Sequence, residues 1–400
     1  MTYPAKDITT AQMPPQWFAG LMTGTVLDGN IDLAFLRTDG VEITEFGAFE
    51  LIPYPQDICD LLARALDAAL VWNFTGPEPA VFAEAEMRLT LAQADAVVSL
   101  ATKQGLPLSS LAAIGFHGQT VLHRAPTADK NGCTRQLGDG KLMANHLHRP
   151  VVFDLRGDDV AAGGHGAPLC ASYHAALLER VGVGADAAIL NMGGVANLSW
   201  RSADGRLIAF DMGPANAPIN DWVKSLGLGE MDHGGALAQA GQVDETKLAR
   251  LLDHPYFTKP FPKSLDRFDF QAAMASGCSP EDGAALLTAF AGAAVGRGLD
   301  LLPSRPSRLF VSGGGRRNPV LMNEVATRAG VSVQNADDLG WRGDAVEAEC
   351  FAFVAARRLS DRRAAACVCH STSSRAAASS TRCASSACST SSSATSSAPS

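Results

Sequence analysis

Short apolar runs alternate along the chain with longer stretches in which apolar residues recur at helical spacing. The runs at 17–22, 31–37, 111–116, 151–155, 187–192, 207–210 and 309–312 are of strand length and predict strands. The segments 55–69, 81–103, 168–181, 216–226, 244–252, 280–302, 319–329 and 344–359 predict helices. Strands separated by helices make an α/β chain. Two stretches share one design: residues 19–35 and 187–200 each read as an apolar strand, a turn of Gly, Thr or Asn, and a second strand. The repetition predicts two α/β halves, with the boundary in the glycine-punctuated stretch 181–186. The organisation expected is a first lobe over 1–184, a second over 185–360, and a tail.

That tail, 361–400, is dominated by Ser and Ala and has almost no large apolar side chains. It cannot bury a core of its own and is expected to be disordered. So abrupt a change of composition is also what a shifted reading frame produces. Cys367, Cys369 and His370 lie close together there, but without a second ligand pair at fixed spacing they predict no metal site.

Composition narrows the class. A chain of 400 residues that is 46% hydrophobic can build a sizeable core. The formal net charge of −8, with no dense Lys/Arg block, argues against nucleic acid and against an anionic membrane surface. The N-terminus shows no leader, and no apolar run reaches the roughly 18 residues that span a bilayer; the expected location is the cytoplasm. Of the nine cysteines, Cys59, Cys133, Cys170, Cys278 and Cys350 are widely scattered and read as reduced small hydrophobes.

Three glycine turns follow apolar strands. The first is Gly24-Thr25-Val26-Leu27-Asp28-Gly29-Asn30, leading into Ile31. The second contains Asn191, Gly193 and Gly194, and the third is Gly313-Gly314-Gly315, ahead of a helix opened by Pro319. Small residues let backbone approach a ligand, and successive N–H groups can cradle phosphates; any one of these turns could equally be an ordinary hairpin or loop. None fits GxxxxGK[ST] or a strand-GxGxxG-helix unit, which lowers the P-loop and Rossmann readings. Asp211, at a strand end before Gly213-Pro214, could be a general base aimed into a cleft, or a turn residue; Asn216 could cap the next helix. His117, in Gly115-Phe116-His117-Gly118-Gln119-Thr120, offers hydrogen bonds to a sugar or phosphate, or is a buried structural histidine. Arg156, in a Gly- and Asp-rich segment, could grip a carboxylate or phosphate, or pair with a neighbouring Asp.

Taken together and in order, the segments 20–32, 115–123, 154–168, 190–197, 210–216, 262–270, 313–322 and 344–355 resemble the anhydro-N-acetylmuramic acid kinase family, with its GLMSGTSLDGID, GxHGQTxxH, DFRxxDxAxGGxGAP, LNIGGxAN, FDxGPGN, PKSTGRExF, GGGxxNxxLM and DxxEAxxFAxLA strings. The resemblance implies the fold of sugar kinases, actin and the 70-kDa heat-shock chaperones: two ribonuclease-H-like lobes with an ATP cleft between them. It places Gly24 to Ile31 and Asn191 to Gly194 at the phosphates and Gly313 to Gly315 by the adenosine. Asp211 matches the catalytic base, and His117, Arg156 and Glu347 match positions near substrate or cleft. ATP and Mg²⁺ are the implied cofactors, with one carboxylate such as Asp28 on the metal and no dedicated protein cage. The implied partner is a small-molecule anhydro amino sugar, and a homodimer is compatible with the reading.

The chain departs from the family pattern at Val26, Asn30, Ala215, Pro218 and Leu265-Asp266, and its Ser/Ala tail stands in place of a TTGVPAP-like closing segment. Two alternatives stay open: an actin- or chaperone-like ATPase switch, since the implied fold also serves such proteins, and an inactive remnant of the kinase, which the tail alone supports.

Overall fold

The structure is a computed structural model and describes residues 2–3, 13–23, 29–127, 129–265, 268–360 and 367–369. Two six-stranded sheets repeat one topology. In the first, Gln16–Met22, Asn30–Thr38 and Ile43–Pro53 form an antiparallel meander, and Leu111–Phe116 and then Val151–Phe153 add in parallel on the other side of its opening strand. In the second, Ala187–Met192, Val195–Arg201 and Leu207–Pro214 form the meander, and Arg308–Ser312 and Ser332–Asn335 are the parallel additions. Three antiparallel strands followed by two parallel ones is the ribonuclease-H-like order, so the chain is a duplicated α/β fold of two such lobes. Each sheet gains one short edge strand from a chain end: Thr2–Tyr3 pairs with Leu207–Pro214, and Cys367–Cys369 pairs with Val151–Phe153. The rest of the tail lies outside the described residues.

Each half sends a helix across to the other. Ala171–Arg180 follows the first-half strands but packs on Ala187–Met192, Val195–Arg201 and Leu207–Pro214. Val346–Ser360 follows the second-half strands but lies on Gln16–Met22, Asn30–Thr38 and Leu111–Phe116. Gly20 and Gly115 make this second contact feasible: a Cβ on either would run into the helix backbone, at Ala348 or Phe351. Burial joins the halves into one core, because Phe18, Leu36 and Val152 share a cluster with Tyr173, Leu177, Ile189, Phe310, Cys350 and Phe353.

Chain order and burial explain the differences from the predicted elements. Ile43–Pro53, an edge strand with polar positions and Gly47 inside it, carries no clean alternation. The run expected to extend to residue 155 stops at Phe153, where Asp154 turns left-handed with φ of 56° and the helix Leu155–Ala161 begins. Gln119–Arg124 and Cys133–Leu137 form a separate two-stranded flap, which carries His123.

Candidate active site

Asp211 sits within the strand Leu207–Pro214 rather than after it, and only 6% of its surface is exposed. Its Oδ2 accepts the Leu265 N–H at 2.8 Å, and among the described residues Oδ1 has no protein donor. The Asp211 backbone is held as well: its N–H donates to the Lys263 carbonyl at 3.2 Å, and the Tyr256 hydroxyl donates to its carbonyl at 2.6 Å. Burial pushes its carboxyl up to about 7; the Leu265 N–H and the charges of Arg156 and Lys263 pull the other way, and Asp269 adds to the rise. A carboxylate poised near neutrality can take a proton in one step and release it in the next.

Arg156 opens the short helix after the first lobe's last parallel strand, and the carboxylates of Glu347, Asp211 and Asp159 all act on its guanidinium. It therefore pairs with no adjacent Asp of its own segment by hydrogen bond; Nη1 donates to the Gly166 carbonyl at 2.6 Å and Nη2 to His117 Nε2 at 3.0 Å. Asp159 completes the clamp by accepting the Gly166 N–H at 2.7 Å. His117 Nδ1 lies 2.6 Å from the Gly118 carbonyl, which assigns the proton to Nδ1 and the acceptor role to Nε2. Burial, then the Arg156 charge, lowers its pKa to about 3, so the imidazole is neutral and orients Arg156 rather than serving as an acid.

The second glycine turn folds back on the helix Asn216–Ser225. Asn216 does not cap that helix, whose cap position is Ala215; instead its Nδ2 donates to the Met192 carbonyl at 2.9 Å and its N–H to Gly193. Asn191 Nδ2 donates to Glu347 Oε1 at 3.2 Å, tying the crossing helix to this turn, and burial raises the Glu347 pKa. Gly313, at φ of 75°, packs so closely that a Cβ would collide with Asn191 Oδ1. Packing gives no such reason for Gly193, Gly194 and Gly314: added Cβ atoms there would find their nearest neighbours at 3.7, 3.4 and 3.8 Å. Side-chain-free backbone that the protein does not fill suits a ligand approaching closely. In the first turn, Gly24, Thr25, Val26, Leu27 and Asp28 lie outside the described residues; Gly29, at φ of 79°, bonds through its carbonyl to Tyr54 N–H, and Asn30 and Ile31 open the second strand.

Asp211, Arg156, His117, Glu347 and Asn191 thus meet where the two lobes face each other. Lys263, Tyr256 and the Leu265 N–H belong to the same assembly and were not singled out from sequence. Lys263-Ser264 lies in the 262–270 segment that resembles the family string, but that match gave it no role, and Tyr256 reads as an ordinary aromatic. A contact across the lobes runs through them, His165 Nδ1 to Ser264 Oγ at 3.3 Å.

The family model for anhydro-N-acetylmuramic acid kinase matches residues 16–380. A protein of that name from Mesorhizobium japonicum is 59% identical over 347 residues, 87% of this chain and 94% of the relative. One from Rhizobium rhizogenes is 60% identical over the same shares, and anhydro-N-acetylmuramic acid kinase 2 of a Jannaschia species is 58% identical over 86% of this chain and 92% of its own. Among solved structures, the (R)-2-hydroxyglutaryl-CoA dehydratase component A of Acidaminococcus fermentans superposes at a TM-score of 0.43 with 12% identity over 86% of this chain and 99% of its own, too low to carry the fold, which rests on the strand order. By the family match and these relatives, the chain belongs to the anhydro-N-acetylmuramic acid kinase family.

Proposed function

We propose that the protein opens 1,6-anhydro-N-acetylmuramic acid with water and phosphorylates O6 at the expense of ATP, giving N-acetylmuramic acid 6-phosphate in the recovery of cell-wall sugars. The observation that carries this reading is Asp211: a buried carboxylate with one oxygen fixed by the Leu265 N–H, the other without a protein donor among the described residues, and Arg156 within electrostatic reach. Asp211 takes a proton from water as the water oxygen bonds to C1 and the C1–O6 bond breaks. The released O6 bonds to the γ-phosphorus as that phosphorus parts from ADP. A glycosidase needs a second carboxyl to protonate its leaving oxygen, whereas here the phosphoryl group takes that electrophilic part.

Arg156, held by His117 and Gly166, offers its remaining donor capacity to an anionic or hydroxyl group of the sugar. Gly193, Gly194 and Gly314 give phosphate oxygens access to backbone, and the family resemblance assigns Gly24 to Ile31 to the phosphates as well. Mg²⁺ would accompany ATP, and Asp28 is the carboxylate that the family resemblance would put on it. Among the described residues no group of three or more His, Cys, Asp or Glu side chains converges to hold a metal. No described helix is long and apolar enough to cross a membrane, and the reading places the enzyme in the cytoplasm, where ATP is available.

The test is ADP release and 6-phosphate formation from the anhydro sugar with Mg-ATP, run beside N-acetylmuramic acid and glucose. ATP hydrolysis that is indifferent to the anhydro sugar would refute the reading in favour of an ATPase switch.

A further inference from the structure

One group in the molecule is expensive to keep where it is and has no role in the reaction as described. Lys263 is 1% exposed, and among the described residues its ammonium makes a single hydrogen bond, to the Tyr256 carbonyl at 2.9 Å. Two aromatic rings also face Nζ, with the Tyr256 ring centroid at 4.3 Å and that of Phe210 at 5.6 Å. A buried ammonium with three donors and one acceptor is a net cost to folding unless a charge nearby repays its lost hydration.

The connections of this residue close a ring around the proposed base. The Lys263 carbonyl receives the Asp211 N–H; two residues on, the Leu265 N–H holds the Asp211 carboxylate; the Tyr256 hydroxyl holds the Asp211 carbonyl; and the Lys263 ammonium holds the Tyr256 carbonyl. Both protein groups that fix the Asp211 main chain from this side are therefore tied to one lysine. The aspartate and the lysine act on each other's charge.

Resting on the kinase reading above, we propose that Lys263 is the positioning residue of the general base: its buried ammonium locks the 256–265 segment around Asp211 and favours the ionised carboxylate. The charged and titratable groups facing Asp211 are Arg156 from the first lobe, Lys263 and Asp269 from the loop, and Tyr256 from the short helix Pro255–Thr258. Arg156 and Lys263 favour ionisation and Asp269 opposes it. Arg156 reaches Asp211 from the other lobe, whereas Lys263 lies on the segment hydrogen-bonded to Asp211 itself, which makes it the part of the field built into the same lobe. Burial and Lys259 lower the Lys263 pKa to about 8 while Asp211 raises it, so the two charges support each other.

Two measurements test this. The first is kcat against pH for the wild type, Lys263→Met and Lys263→Arg. Met matches the length of the lysine stem and removes the buried charge. In Lys263→Met the acidic limb moves up by about one pH unit, the low end of what a neighbouring cation does to an aspartate. At pH 6 that is about a tenfold loss relative to the wild type. Lys263→Arg keeps the cation and leaves the limb in place, and the KM for ATP is unchanged in both. A lysine that merely props the loop would lower kcat at every pH alike, so coincident acidic limbs in a folded Lys263→Met overturn the proposal.

The second measurement needs neither turnover nor a variant at 263. NMR of ¹³Cε-labelled lysine follows the Lys263 titration, whose midpoint falls when Asp211→Asn removes the partner charge; a midpoint that stays put overturns the proposal even if Lys263→Met fails to fold. Should the wild type prove inert toward the anhydro sugar, the kinase reading fails on its own, and the lysine titration alone decides whether Lys263 and Asp211 are coupled.

Discussion

Asp211→Asn should abolish turnover and, at the same time, stabilise the protein, increasingly so as the pH rises. Burial holds the Asp211 carboxyl at about 7 in the fold against an ordinary value of 3.8. Between those values the folded state binds a proton that the unfolded chain has released, so stability declines as pH rises through this window. At about 1.4 kcal/mol per unit of pKa, this raised pKa costs the fold on the order of 2 kcal/mol at pH 5 and about 4 kcal/mol at pH 8, relative to pH well below 3.8. Asparagine has the same shape, still accepts the Leu265 N–H, and never ionises. Its own unmatched amide costs about 1 kcal/mol at any pH. The advantage of the variant should therefore grow by roughly 2–3 kcal/mol between pH 5 and pH 8, or about 3 °C in melting temperature for a chain of this size.

Calorimetric melting of both proteins across that range measures the difference directly, and a coupled assay for ADP release with the anhydro sugar measures turnover. In the wild type the ionised fraction of Asp211 rises from about a tenth at pH 6 to about nine tenths at pH 8, so kcat should climb about tenfold over the same interval. A melting difference independent of pH, or appreciable turnover by the variant, would refute the assignment of Asp211 as a buried base.

Other consequences are simpler to state. His117, held near 3 by burial and Arg156, should keep a neutral, Nδ1-protonated ring at every pH above about 4, visible as constant ¹⁵N imidazole shifts, and it should add no limb to the rate profile. Gly115→Ala drives a methyl into the Phe351 carbonyl and should destabilise the fold by about 1–3 kcal/mol, measured by denaturant titration. Gly193→Ala meets nothing nearer than 3.7 Å and should leave stability within about 0.5 kcal/mol while weakening ATP binding, read by calorimetric titration; unchanged affinity would remove this turn from the phosphate site.

Much of this molecule is legible from local pattern. Leu111–Phe116 and Ala187–Met192 read as strands at their observed limits because both faces of a central strand are buried, which makes the whole run apolar. Val81–Lys103 and Pro319–Ala329 read as helices for equally local reasons, the second because Pro319 starts it, the Asn318 side chain accepts the N–H groups of Val320 and Leu321, and Gly330 ends it in a left-handed turn. Asp211, Arg156, His117 and Asn191 stood out because each follows or ends an apolar strand, the place where an α/β sheet presents side chains to a ligand.

Tertiary structure alone decided the rest. No spacing along the chain reveals that Val346–Ser360 crosses back onto the first sheet, because that depends on two glycines more than two hundred residues away leaving room for it. Nor could the sequence tell that Arg156 is oriented by His117 instead of a neighbouring Asp, or that Asn216 ties down the Met192 carbonyl instead of capping its helix, since each outcome depends on which partner the fold brings within 3 Å. The tuning of Asp211 is the clearest case. Its identity is written locally, but whether it can act as a base depends on dehydration and on charges from Arg156 and Lys263, which lie far from it in sequence and reach it only once two lobes have closed around one cleft.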